Sequence, residues 1–410
     1  MTGTLASRRA VITGLGALNS AGGDVESVWK NVRAGKVCLS TITRFDTSRF
    51  PISVGGQIAE NSATAAVPRR FAAKTDRFTH FAFTAVGEAL TGANLDLDNV
   101  DRDRTSVWFG NNTGGWDLCE RGFREYYRDG ADVVNPWQAT AWFLAAPQGF
   151  LTIRHGVRGI SKSFSGDRVS GGVALYYGAQ ALVRGRTDIV LAGGCEAPLS
   201  ELSLLCFHSN GEMSEASNPE DAYRPFDQHA SGTILGEGAS AVVLEDDGAA
   251  TRRGATVHAG LLGGAHGTAP ADPVAGYAAV LQRALAQAEC RPEDIDLVIC
   301  DGAGQPDSDR IEAAAIAAAF SGRDTPIPVT AVKGAFGHLY GAGFTADVIV
   351  GCLAARDSVI PPTTGYRSGP LPDGIALVST PTPARIRRFA VCARSRYGAC
   401  LVMIFASPAA

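Results

Sequence analysis

The sequence predicts an α/β protein, and three observations carry that reading. Short β-branched runs alternate with alanine-rich stretches, the runs are nearly continuous in apolar residues, and the two halves of the chain repeat one order of elements. Continuous apolar runs suit strands buried on both faces. The strand candidates in chain order are Ala10-Val-Ile-Thr13, Ser106-Val-Trp-Phe109, Asp188-Ile-Val-Leu191, Ala241-Val-Val-Leu244, Leu297-Val-Ile-Cys300 and Phe389-Ala-Val-Cys392. Gly14-Leu-Gly16 and Gly193-Gly194 follow two of these runs and read as sharp turns at a sheet edge.

The repeat sets Phe81 to Leu90, its Asp-rich loop and the strand at Ser106 against Tyr277 to Leu285, the acidic loop Glu293 to Asp296 and the strand at Leu297. Val280, Leu281, Ala284, Leu285 and Ala288 share one helical face, the spacing of a helix docked on a sheet. A second pair sets the helix opening at Ser170-Gly-Gly against the one opening at His338-Leu-Tyr-Gly. A pseudo-twofold would bring the starts of these helices, Val169 and His338, to equivalent corners facing one central site.

The 410 residues hold 37 basic and 41 acidic side chains, a net charge of -4, so no broad cationic surface points to nucleic acid or an anionic membrane. Nine scattered cysteines form no Cys-x-x-Cys pair, and no two of the seven histidines stand at His-x-x-x-His spacing, so neither zinc nor another metal is expected. The first nine residues have no signal-peptide core and no apolar run reaches about 20 residues, which predicts a cytoplasmic protein. Gly14-Leu-Gly-Ala-Leu-Asn19 lacks the third glycine of a dinucleotide loop, and neither a Walker loop nor a Gly-x-Ser-x-Gly elbow is present. No cofactor is expected. His338, in Gly337-His-Leu-Tyr-Gly341, reads either as a histidine kept neutral by a helix N-terminus or as a packed residue beside a turn.

Tyr223-Arg-Pro-Phe-Asp227, Gly236-Glu-Gly-Ala239 with Val242-Val-Leu-Glu245, Val332-Lys-Gly-Ala-Phe-Gly-His338 and Val11-Ile-Thr-Gly-Leu-Gly16 together resemble the β-ketoacyl synthases of the thiolase fold. The similarity runs over nearly the whole chain and implies a five-layered αβαβα arrangement of two pseudo-repeated halves, near 1–255 and 256–410. The family's nucleophilic cysteine opens a helix whose N-terminus stabilises its thiolate. Here that stretch reads Asp167-Arg168-Val169-Ser-Gly-Gly172, which sets Val169 at the cysteine position, or Arg168 if the register slips by one. Neither side chain is a nucleophile. Arg168 then calls for a carboxylate partner, with Asp167 the adjacent candidate. Asp301 stands where the family has the first histidine of its pair, and an ionised carboxylate cannot donate to a developing oxyanion. Lys333 and Glu312 match a family pair that is largely architectural, and His338 is retained.

This combination resembles the chain-length factor, or ketosynthase β subunit, of bacterial type II polyketide synthases. Asp301-Gly-Ala-Gly-Gln-Pro-Asp-Ser-Asp-Arg310 and Gly337-His-Leu-Tyr-Gly341 carry the resemblance, although that family usually has glutamine where this chain has Val169 and often arginine in place of His338. The resemblance implies a non-condensing subunit that pairs with a catalytic ketosynthase α subunit and sets the length of a polyketide held on acyl carrier protein, through a tunnel along the interface. Trp116, Cys119 and Phe123 fall at the gating positions, with Leu118 and Gly122 between them, and residues three and four apart on a helix share a face. Two other readings stand beside this one. The chain could be an active condensing enzyme or acyltransferase using Cys195 or Cys206, or a carrier-protein scaffold that never meets a polyketide.

Overall fold

The computed structural model describes residues 8–59, 67–268 and 271–408. In the large sheet, five strands come from the first part of the chain: β1 (Ala10–Leu18), β2 (Thr105–Gly110), β3 (Lys162–Phe164), β4 (Ile189–Glu196) and β5 (Gly238–Asp246). Six follow: β6 (Ala259–Thr268), β7 (Leu297–Ile299), β8 (Ile327–Thr330), β9 (Ile375–Leu377), β10 (Arg388–Arg394) and β11 (Ala399–Ala406). The order across the sheet is β9-β8-β7-β10-β11-β6-β1-β5-β4-β2-β3. Two mirrored halves are visible in that order. In β3-β2-β4-β5-β1 and in β8-β7-β10-β11-β6 the first three strands are parallel and the last two pairings antiparallel. Within the sheet, β1 and β6 join the halves through Val11↔Gly260 and Ile12↔Ala259.

The helices that matter for the site are α1 (Arg77–Gly92), α2 (Trp116–Asp129), α3 (Ala146–His155), α4 (Ser170–Val183), α5 (Glu201–Ser209), α6 (Pro273–Gln287), α7 (Pro306–Ala319) and α8 (Gly343–Asp357). α4 and α8 pack on each other between the two halves of the sheet, α1 covers the outer face of the first half, and α6 covers that of the second with α7 beside it. These are the five layers of the thiolase fold. A helix in the middle layer meets protein on every side and must be apolar all round. The run Gly343-Phe-Thr-Ala-Asp-Val-Ile-Val-Gly-Cys-Leu-Ala354 is buried at every position.

Two sequence expectations change here. Gly14 and Gly16 do not turn the chain; they lie inside β1, and Gly193 and Gly194 lie inside β4. Their function is close approach. A Cβ on Gly16 would collide with the Ala85 carbonyl oxygen of α1, and one on Gly14 with that of Ala89, so both glycines seat α1 directly on the strand. Because the obstacle is helix backbone, Gly16→Ala is expected to cost about 3 kcal/mol or more by forcing α1 off the sheet. Urea denaturation checks this, and a loss below about 1 kcal/mol would mean that α1 shifts freely.

The second change concerns the repeat. α4 is entered through a 3-10 turn at Asp167–Val169 and α8 through one at Tyr340–Ala342. Asp167 and Tyr340, the first residues of those turns, both adopt positive φ, +60° and +40°. The structural equivalent of Val169 is therefore Ala342, and His338 lies four residues ahead of it.

Candidate functional site

The two 3-10 turns touch each other at the centre of the molecule. Arg168, buried to 1% exposure on the first turn, lays its guanidinium 5.9 Å from the Tyr340 ring centre on the second. Its Nη2 lies 3.3 Å from Glu212 Oε2, and Nη1 lies 3.9 Å from Asp301 Oδ2. Asp167 is not that partner, since its carboxylate accepts the Arg396 N–H at 2.9 Å. Val169 belongs to the large apolar core cluster that also holds Val173 and Phe344. Of the two sequence registers, it is the arginine whose side chain joins the buried charge cluster.

Asp301 is the hub. It follows β7, is buried, and holds three cationic or donor groups: Lys333 Nζ at 3.3 Å, His338 Nε2 at 3.1 Å and the Arg168 guanidinium. Burial alone would raise its pKa, but His338, Lys333 and Arg168 outweigh burial and hold the carboxyl well below the ordinary range. Asp301 is an anion at every physiological pH.

His338 is fixed as a neutral ring. Its Nδ1 accepts the N–H of Tyr340 at 2.9 Å, so the proton sits on Nε2, which donates to Asp301. Burial lowers its pKa against the pull of Asp301, and a second ring proton would meet the Tyr340 N–H head on. No helix N-terminus is needed for this, because the turn at Tyr340 separates His338 from α8. The one donor of the retained histidine is already committed to the aspartate.

Lys333 and Glu312 are held in place, but not by each other. Lys333 Nζ bonds Asp347 of α8 and the Asp301 carbonyl oxygen at 3.1 Å, and these carboxylates raise its pKa although burial opposes them. Glu312 of α7 accepts the backbone N–H groups of Asp301 at 2.9 Å and Gly302 at 2.8 Å. Both residues grip the Asp301 loop, Lys333 at a carbonyl and Glu312 at two N–H groups. The Tyr223-to-Asp227 motif closes the same loop, with the Tyr223 hydroxyl donating to the Gly302 carbonyl at 2.9 Å.

The cysteines nearby lack activation. Cys300 adjoins Asp301 in sequence, yet its thiol faces Cys392 and Glu312, and burial pushes its pKa far up. Cys195 lies inside β4, where burial and the adjacent Glu196 do the same. Cys206 is exposed on α5.

The gate candidates are helical, as their spacing predicts. Trp116, Cys119, Gly122 and Phe123 of α2 line one cavity of about 510 Å³ with Tyr126, Val134, Gln138, Ala139 and Trp142. Leu118 does not join them. It turns inward, and its N–H donates to Asp76 Oδ2 at 2.7 Å. Gly122 is small for a reason: the Gln138 amide crosses it to reach the Leu118 carbonyl, and a Cβ there would collide with that amide.

Residues 7–250 match the family description "Beta-ketoacyl synthase, N-terminal domain" and residues 254–367 "Beta-ketoacyl synthase, C-terminal domain". The chain belongs to the β-ketoacyl synthase family. It is 37% identical over 394 residues to the tetracenomycin polyketide synthase ketoacyl synthase β subunit of Streptomyces glaucescens, covering 95% of this chain and 96% of that one. It is 30% identical over 363 residues to 3-oxoacyl-(acyl-carrier-protein) synthase 2 of Staphylococcus aureus strain N315, covering 87% and 88%. Its fold superposes on the ishigamide ketosynthase/chain length factor with a TM-score of 0.89 at 27% identity, covering 98% of this chain and 100% of that chain. Within the β-ketoacyl synthases it groups with the polyketide ketosynthase β subunits. Sequence reading missed Glu212, Arg396 and Tyr340 as the groups around Arg168. Tyr340 lay inside a quoted motif, while Glu212, 44 residues from Arg168, gave no local signal.

Proposed function

We propose that this chain is the non-condensing half of a ketosynthase heterodimer. It pairs in the cytoplasm with a catalytic ketosynthase α subunit, accepts the polyketide carried on acyl carrier protein, and sets its length by the wall that α2 builds. The observation that carries the reading is Arg168. Condensation by this family begins with a thiolate at the start of the middle-layer helix, and here that helix start presents a buried guanidinium engaged with Glu212 and Asp301. The remaining donor, His338 Nε2, is bound to Asp301 and cannot serve an oxyanion.

The surface supports a partner at α2. Phe123, Tyr127, Trp142 and Phe143 are 51%, 83%, 47% and 56% exposed, a cluster of aromatics that a solitary soluble protein would keep covered. Among the described residues no helix is long and apolar enough to cross a membrane, so a bilayer-spanning role for this cluster lacks support. Co-expression with a ketosynthase α subunit and size-exclusion chromatography test the pairing. A one-to-one complex that makes polyketide only when both chains are present is expected; a chain that elongates malonyl units without the partner would overturn the reading.

A further inference from the structure

We infer that Glu196 is a positioning residue for chain length: its carboxylate ties the Tyr340–Ala342 turn to the segment that launches α2, and so sets where the aromatic wall stands. This rests on the α2 reading above. Glu196 ends β4 and is fully buried. One oxygen accepts the N–H of Gly341, at 3.0 Å, and that of Asn112. The other accepts the N–H of Thr113, at 3.1 Å, and the Thr113 hydroxyl.

These donors belong to two segments that meet at this carboxylate. Gly341 lies in the 3-10 turn that follows His338 and packs against Arg168's turn, while Asn112 and Thr113 follow β2 and precede Trp116 by a few residues. The contact is too close for side chains: a Cβ on Gly341 would stand 2.6 Å from Glu196 Oε1 and 2.5 Å from Asn111 Cα. A buried carboxylate is costly unless saturated with donors, and here four are supplied. Burial pushes the group up to about 7, with the Thr113, Asn112 and Gly341 donors pulling the other way. Beyond Thr113 the segment is anchored again where the Gly115 N–H donates to the Trp142 carbonyl at 3.1 Å, and where Asp76 accepts the Leu118 N–H in the first turn of α2. Among these anchors Glu196 is the one that also binds the Gly341 turn, so it couples the start of the gate helix to the buried charge cluster.

Only a carboxylate serves all four donors. The amide of Glu196→Gln has a single acceptor oxygen, and its NH2 would confront a backbone N–H of Thr113 or of Gly341, so the segment before α2 must move. The test uses heterodimers with ketosynthase α, supplied with malonyl-loaded acyl carrier protein, and reads product lengths by mass spectrometry together with the KM for the carrier protein. In Glu196→Gln the share of parental-length chains is expected to fall at least about twofold with that KM unchanged, because a wall misplaced by a fraction of an ångström changes what fits. Thr113→Val, which keeps shape but removes the hydroxyl, is expected to shift lengths in the same sense, and Thr113→Ser to restore the parental spectrum. If Glu196→Gln fails to assemble, the Val and Ser variants decide. Parental spectra from both Glu196→Gln and Thr113→Val beside a shifted Trp116→Ala spectrum would overturn the role of Glu196 alone. An unchanged Trp116→Ala beside a shifted Glu196→Gln would instead remove Trp116 from the wall and leave the Glu196 clamp standing.

Discussion

Asp301→Asn is expected to destabilise the fold by about 3 kcal/mol at neutral pH, among the largest losses a single substitution can cause here. The substitution keeps shape and leaves an oxygen for His338, but it strips the charge that faces Lys333 and Arg168, both fully buried. Lys333 retains Asp347 and Arg168 retains Glu212, so the loss stays short of outright unfolding. The sign of the pH dependence follows from the depressed pKa. A carboxyl whose folded pKa lies below its unfolded value of about 4 contributes fully above pH 4, and that contribution fades as the pH falls toward the folded value. The deficit of Asp301→Asn should therefore be constant between about pH 5 and 8 and shrink below about pH 4. Denaturant titrations at several pH values check this, and a deficit that grows on acidification would contradict it. Adding Arg168→Gln should recover part of the loss, since the two charges compensate each other.

Trp116→Ala, in complex with ketosynthase α, is expected to lengthen the polyketide. Trp116 and Phe123 stand on the same face of α2, with Cys119 between them, and together they wall the 510 Å³ cavity. Removing an indole opens space that close-packed neighbours refill only partly, so a chain that ends at this wall gains room for further extension. The opposite change gives the opposite sign. Cys119→Phe would overfill the same wall and shorten the product, because inserting bulk into a packed site typically costs about 1–3 kcal/mol. Mass analysis of the chains made by each complex decides it. An unchanged spectrum in both variants would take α2 out of length control.

Much of this was legible in the sequence, for identifiable reasons. Buried strands announce themselves as β-branched runs, and the proposed loss of the nucleophile rests on a residue type at a helix start. Spacing also placed Trp116, Cys119 and Phe123 on one face, because helical periodicity fixes side-chain direction. It does not do so in a 3-10 turn, which is why sequence alone could not tell whether Arg168 or Val169 joins the central charge cluster. Glycine misled for a related reason. Gly14-Leu-Gly16 has the composition of a turn, and only the nearness of α1 reveals that the glycines admit a helix to a strand. The repeat was recognisable but set four residues out of register, since the short turn at Tyr340–Ala342 has no periodic signature of its own. The partners of Arg168 and the donors of Glu196 come from distant segments, and nothing local marks such encounters.

The most direct measurement is the intact mass of the purified chain, without ketosynthase α, after incubation with acyl-loaded carrier protein, followed by a search for elongated products. No mass gain and no extended chain are predicted, since the helix start holds a guanidinium and the nearest buried thiols are held protonated. A covalent acyl adduct that maps to Cys195 or Cys206, or malonyl units joined by the lone chain, would contradict the account and make this subunit a condensing enzyme in its own right.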